Sequence, residues 1–453
     1  MKKIFSISVF LILTTSILSG QSWSTVGFGT NYTIYSLATY NNNLYAGGQF
    51  TTAGGISANN IAEWNGASWS ALGTGLNSTW FTNVNALAVY NNSLYSGGIF
   101  STAGSLNVNN VASWNGSTWA SLGAGINAYV STNEYSVNAF DTLNGDLYIG
   151  GYFDSAGGKP AVGIANWNGN SWSILEKGLN GEVFAMTTYN NQLVIGGNID
   201  SAEGKPANKI VIWNGTNFTA IAGSKYTNGV ITSLCVYKGM LIVGGLFDSI
   251  GGIAANNVAA WNGTLWLNLG SGIRYGRVYS LATYSNNLYA GGSFYIPGGP
   301  NNIAKWNGTT WSSVDGGLGR YNDTNTVYAL TVWNGSLYAG GYFDSAGSIS
   351  VNNIAMLHDT TTGINQIYSS HSITVFPNPS TCTFTFQFSS VSQKSSVEIY
   401  NMLGERVYAT SLNSSKGGTS TIVSLSDCSA GIYLYRITTA NGSLISTGKL
   451  IKE

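Results

Sequence analysis

Charge is scarce in this chain of 453 residues: Asp, Glu, Lys and Arg together make up 8% of it, and the formal net charge is zero. No basic face is available for a nucleic acid backbone. Histidine is nearly missing, with only His358 and His371. A Ser-His-Asp triad, a histidine zinc site or a paired-histidine copper centre has no material before residue 358. No metal, cofactor or catalytic residue is expected. Cysteine is equally sparse. Cys235 sits in the apolar run ITSLCVY and reads as a small buried hydrophobe. Long apolar runs are absent but for one, residues 4–18, which follows Lys2 and Lys3 and precedes Ser19 and Gly20. It is shorter than the ~20 residues that span a bilayer. Residues 1–20 therefore read as a signal peptide cleaved before Gln21, leaving no transmembrane segment in the mature chain. Glycine pairs are frequent, but no Lys-bearing helix follows them, so no phosphate loop is expected.

What the chain has instead is glycine and aromatics, 59 Gly with 14 Trp and 27 Tyr. That mixture suits short strands and tight turns. A Gly-Gly pair ends a strand-like run at Gly47, Gly97, Gly150, Gly196, Gly244, Gly291 and Gly340, at spacings of 46 to 53 residues. Trp-Asn-Gly follows at Trp64, Trp114, Trp167, Trp213, Trp261 and Trp306. An aromatic then opens another run at Trp23, Trp69, Trp119, Trp172, Phe218, Trp266 and Trp311. Repetition at a fixed register points to packing between repeats rather than ligand stacking.

Each unit reads as four short antiparallel strands; in the second they are 84–90, 94–100, 110–114 and 118–122. Asn-Gly and Asn-Asn turns join them, since both residues tolerate positive φ. Four strands in about 48 residues make a propeller blade. The expected fold is all-β: a seven-bladed β-propeller closed by the N-terminal strand, plus a small C-terminal immunoglobulin-like β-sandwich. The run SWSTV from Ser22 precedes any first strand, while the last unit stops after its third. The N-terminal strand is therefore expected to complete the last blade, removing open edges. The expected domains are signal peptide 1–20, propeller 21–357, linker 358–371 and C-terminal domain 372–453.

The wording GGxFxxAGG…NNIAxWNGxxWxxLGxG resembles kelch repeats. It is closer to a β-propeller repeat of bacterial surface proteins and similar to repeats of fungal cortical cell-polarity markers. The resemblance covers residues 22–357 and speaks to fold, not function. The C-terminal stretch resembles the sorting domain of type IX secretion in Bacteroidetes-like bacteria. Its matching residues are Pro377, Asn378, Pro379, Leu403, Gly404, Gly431, Ile432, Tyr433, Lys449 and Lys452. That resemblance implies type IX machinery as a partner and a secreted or cell-surface location. Within it, Cys382 begins the second strand and Cys428 ends the fifth. An immunoglobulin-like order brings these together as a disulfide pair.

Asp154, Asp248 and Asp344, with Asp200 as a variant, stand where other units have Thr51 or Ser101, and read as turn-closing residues. The connections from each fourth strand to the next first strand vary most. They carry Tyr32, Trp80, Phe81, Tyr129, Tyr135, Tyr226, Arg274, Tyr275, Arg277, Arg320 and Tyr321. In a propeller these loops surround one mouth of the channel. Aromatics beside guanidinium groups suit sugars or protein hot spots. The expected function is a non-enzymatic binding module for glycan or protein. The alternatives are a carboxylate-based glycoside hydrolase or lyase drawing on Glu134, Asp141, Asp146 or Glu182, and a structural spacer.

Overall fold

The computed structural model describes residues 20–79, 81–127, 135–175, 177–221, 227–295, 301–319, 325–360, 373–388, 395–401, 404–412, 420–439 and 444–453. Residues 1–20, read as a signal peptide, lie outside them except for Gly20. The described residues are all-β and fall into two compact units, 20–360 and the stretch after the linker.

Among the described residues of the first unit, seven sheets each contain a path of four antiparallel strands. The first strands are Ile34–Tyr40, Asn83–Tyr90, Ser136–Leu143, Leu179–Tyr189, Val230–Tyr237, Gly276–Tyr284 and Thr326–Trp333. In six sheets the four strands pair in the order in which they follow along the chain. In the seventh, Thr326–Trp333, Ser336–Tyr342 and Ile354–Thr360 are followed by Gly20–Thr25. There Trp23 pairs with Leu357 and Ser22 with His358. The pairing runs on to Thr360, so His358 and Asp359 are strand residues of this sheet. Each first strand packs against the first strand of the next unit, and Thr326–Trp333 packs against Ile34–Tyr40.

The Gly-Gly pairs have a steric reason. A Cβ on the first glycine would run into a β-branched side chain from the next unit: Gly47 would meet Val84 Cγ1 at 2.5 Å and Gly340 would meet Ile34 Cγ2 at 2.7 Å. A Cβ on the second would strike a backbone carbonyl of its own unit's first strand, as Gly48 would strike that of Thr33. The register shifts beside the first glycine in every unit. Each pair thus lets a sheet bulge at its first strand while the neighbouring sheet's Ile or Val, fully buried, seats against it.

Polar groups tie the units edge to edge. The indole N–H of Trp69 donates to Val26 O (3.0 Å), Trp119 to Leu72 O (3.0 Å), Trp172 to Leu122 O (2.7 Å) and Trp311 to Leu269 O (2.9 Å). Within a unit the same tryptophan lies against the Trp-Asn-Gly tryptophan, as Trp64 and Trp69 do at 5.4 Å. The second Asn of the Asn-Asn pair takes positive φ, 65° at Asn60, and its amide donates to the following connection, at Leu76 O (2.7 Å). Asn353 makes the equivalent bond to Thr30 O, at 2.8 Å across 323 residues of sequence. Short hairpins such as Thr52–Ala53 with Ile56–Ser57 fill the connections after the second strands. At their openings the backbone carbonyls of Asp154, Asp200, Asp248 and Asp344 accept hydrogen bonds, and the Asp200 carboxylate also meets Lys209 Nζ at 2.5 Å.

The C-terminal unit has two sheets on one apolar core. Ile373–Phe376, Thr383–Phe388 and Ser420–Ser424 form one; Arg406–Leu412, Ser395–Tyr400, Gly431–Thr439 and Leu444–Lys452 form the other. Phe384, Phe386, Val397, Ile399, Val423, Ile437 and Leu450 are buried between them. The expected Cys382–Cys428 disulfide is not formed, and both thiols are free. The register explains this. Cys382 O accepts from Leu425 N, and a turn from Leu425 to Cys428 then carries Cys428 past its would-be partner toward Tyr433. Cys235 is free as well; burial pushes its thiol up to about 12.

Candidate functional site

All seven first strands begin alike. A buried Ile or Val is followed by a variable residue, then Ser or Ala, then a large apolar one. The variable residues are Tyr35, Asn85, Asn138, Phe184, Thr232, Tyr279 and Tyr328. The large apolar residues are Leu37, Leu87, Phe140, Met186, Leu234, Leu281 and Leu330. The large apolar residues and all the variable ones but Tyr35 line one cavity of about 230 Å³ that touches every first strand. On one side of that lining, Asn85 Nδ2 donates to Asn138 Oδ1 (3.1 Å), and Asn138 Nδ2 donates to Glu182 Oε1 (2.9 Å). The other side is aromatic, because Tyr279, Tyr328 and Tyr35 come from consecutive units.

A second recess, about 440 Å³, opens beside these tyrosines and is lined by Tyr32, Thr33, Tyr35, Ser293, Thr326, Tyr328 and Tyr342. Its rings touch in pairs. Centroids are 5.0 Å apart for Tyr35 and Tyr328, 5.0 Å for Tyr279 and Tyr328, and 5.6 Å for Tyr32 and Tyr342. Edge and tilted arrangements of this kind hold aromatic rings in fixed orientations. Burial pushes the Tyr35 phenol up to about 12 and raises that of Tyr328 too. These hydroxyls therefore stay protonated, available both to donate and to accept. Arg277 is the cation at this edge. Its guanidinium lies 5.5 Å from the Tyr279 ring centroid, and it stands directly across the ladder from Ser293. Paired residues share a face of the sheet, so Arg277 faces the way the recess-lining Ser293 does.

Of the loop residues singled out in the sequence, Tyr32 lines the recess and Arg277 flanks it. Tyr275 is 67% exposed, with its ring 6.5 Å from that of Tyr295, and Arg274 is exposed beside it. Phe81 is exposed as well. Trp80, Tyr129, Tyr226, Arg320 and Tyr321 lie outside the described residues, as does Glu134. Loop variation alone missed Tyr35, Tyr279, Tyr328 and Tyr342. Their signal was present, since two strand positions, the one after the buried Ile or Val and the one after the Gly-Gly pair, change from unit to unit. Three of the acids that a hydrolase would draw on accept hydrogen bonds. Asp141, its carboxyl raised by burial, accepts from Thr188 Oγ1 at 3.0 Å, and Asp146 accepts from Asn166 Nδ2 at 2.6 Å. Glu182 accepts from Asn138. Neither cavity has an Asp or Glu among its described lining residues.

In the C-terminal unit, the motif residues gather on the last strand. Asn378 Nδ2 donates to Lys449 O (2.8 Å), while Ile451 N donates to Asn378 Oδ1 (2.8 Å). Pro377 and Pro379 flank that asparagine, each after a cis peptide bond. Gly404, at φ 83°, closes a turn by donating to Asn401 O. Gly431 opens the strand that carries Tyr433, whose hydroxyl donates to Ser429 O at 2.6 Å. The Lys452 ammonium donates to Leu425 O (2.8 Å), Ser426 O and Cys428 O. A family model described as a secretion system C-terminal sorting domain matches residues 374–453. That stretch is a sorting domain. It marks the protein for export by type IX secretion, to the cell surface or beyond it. The match leaves the repeats uncovered, and no family match supports their kelch-like wording. No curated protein matches the chain. No helix among the described residues is long and apolar enough to cross a membrane.

Proposed function

We propose that residues 20–360 form a seven-bladed β-propeller, closed by Gly20–Thr25, that the exported protein presents as a non-enzymatic binding module. The sorting domain, an immunoglobulin-like sandwich, is its address. Three observations support the ring: the seven four-stranded sheets, the N-terminal strand paired onto the last of them, and one cavity touching all seven first strands. A propeller hosts enzymes and binders alike, so function has to be argued from the site.

The tyrosine recess carries the binding reading. Its volume falls in the range of small-molecule sites, about 300 to 1,000 Å³. Flat rings with outward hydroxyls complement the ring faces and hydroxyls of sugars. Five of its seven lining residues sit on strands set by backbone pairing, so a ligand has little protein to order on binding. The test is a glycan array with the exported chain, followed by calorimetry on the hits. Binding that Tyr328→Ala abolishes, with each hit recovered intact, is the expected result. Binding untouched by Tyr328→Ala rejects the recess, and cleaved glycan would favour the hydrolase or lyase. Silence on the array and in a surface-protein pull-down would leave a spacer.

A further inference from the structure

We infer that the tyrosine recess takes an acidic saccharide, with its sugar ring on Tyr35 and Tyr328 and its carboxylate or sulfate on Arg277. This rests on the reading of the ring as a binding module and adds the chemical class of its ligand. The first strands of three consecutive units supply Tyr279, Tyr328 and Tyr35, while the corresponding residues of the next three, Asn85, Asn138 and Phe184, include no tyrosine. Two residues before those tyrosines stand Arg277, Thr326 and Thr33. Both threonines line the recess, and so does Ser293, across from Arg277. The guanidinium therefore occupies the place in its unit that a lining hydroxyl occupies in the two units that follow it.

Arg277 is half-buried, and no carboxylate among the described residues forms an ion pair with it. Its positive charge bears on the Tyr328 hydroxyl, where it opposes the upward push of burial. A planar guanidinium held over a tyrosine ring retains donors for one anionic oxygen pair. An anion on a sugar satisfies it, while the hydroxyls of Tyr32, Thr33, Thr326 and Tyr342 meet those of the sugar.

The experiment compares oligogalacturonate, its methyl-esterified form and other carboxylated or sulfated array glycans, each beside its neutral counterpart, on the full exported chain and on Arg277→Gln. Arg277→Gln is expected to weaken the acidic glycans by about tenfold or more, the weight of a charge-assisted contact. Neutral glycans should hold their affinity, and esterification should mimic the substitution. Arg277→Lys should restore part of the loss. Neutral glycans bound as tightly as acidic ones, with Arg277→Gln unchanged, would overturn the acidic assignment while leaving the binding module standing. Loss of glycan binding in Tyr328→Ala, with acidic-glycan affinity unchanged in Arg277→Gln, would overturn it likewise. No binding by either glycan class overturns the saccharide assignment, and silence in the surface-protein pull-down as well overturns the binding module.

Discussion

At the scale of single residues, the repeat signature is a record of close approaches. Each glycine of the pair answers a different neighbour, one a side chain of the next unit and one a carbonyl of its own. Gly291 illustrates the first kind, since a Cβ there would lie 2.6 Å from Val327 Cγ1 and 2.7 Å from Ser280 Oγ. Gly291→Ala is expected to destabilise the repeat unit by about 1–3 kcal/mol, the range for overpacking a filled core. Chemical denaturation followed by tryptophan fluorescence measures it. An unchanged midpoint would mean that the neighbouring sheets are not seated against each other at this point. The same scale explains what the sequence hid. Tyr35, Tyr279 and Tyr328 look like ordinary strand aromatics. They become a site only because three units, the first of them distant in sequence from the other two, bring them together.

At the scale of strands, most of the pattern was legible. Asn-Gly turns, Gly-Gly ends and paired aromatics placed the four strands of a unit to within a residue or two: 84–90 in the sequence against Asn83–Tyr90 in the structure. The short hairpins after the second strands were not legible, because two-residue ladders carry no periodicity. Nor was the path of Cys428, which depends on a turn between Leu425 and Cys428 rather than on strand order. In the sorting domain three strands meet at one carboxylate. Glu398 on Ser395–Tyr400 accepts from Arg406 (2.8 Å) and Arg436 (2.7 Å) on the strands either side, and from Tyr400 within its own (2.9 Å). These bonds hold its carboxyl down at about 2, below an ordinary value of 4.5. A depressed folded pKa stabilises above the ordinary value, and that contribution is lost as pH falls toward about 2. The pair is partly exposed, so the effect on stability is small, but the titration itself is measurable. Arg436→Gln is expected to move the Glu398 midpoint up toward its ordinary value in a carbon-detected NMR titration. A midpoint that stays put would remove Arg436 as the cause.

At the scale of the whole chain, composition excluded more than it named. Two histidines and a neutral charge balance removed whole classes of chemistry, and the C-terminal wording pointed to export, which the sorting-domain match bears out. Ligand class was not legible, because it depends on which units become neighbours at a cavity and on what side chain each contributes there. Every such neighbour relation between the last unit and the first depends on Gly20–Thr25 lying beside Ile354–Thr360. Hydrogen–deuterium exchange on the exported chain, read by mass spectrometry, tests this directly. The peptide spanning 21–26 should be protected as strongly as an outer strand of another unit, Trp69–Ala71, and that spanning 354–360 as strongly as the inner strand Asn43–Gly48. Exchange of both at the rate of unpaired backbone would contradict it.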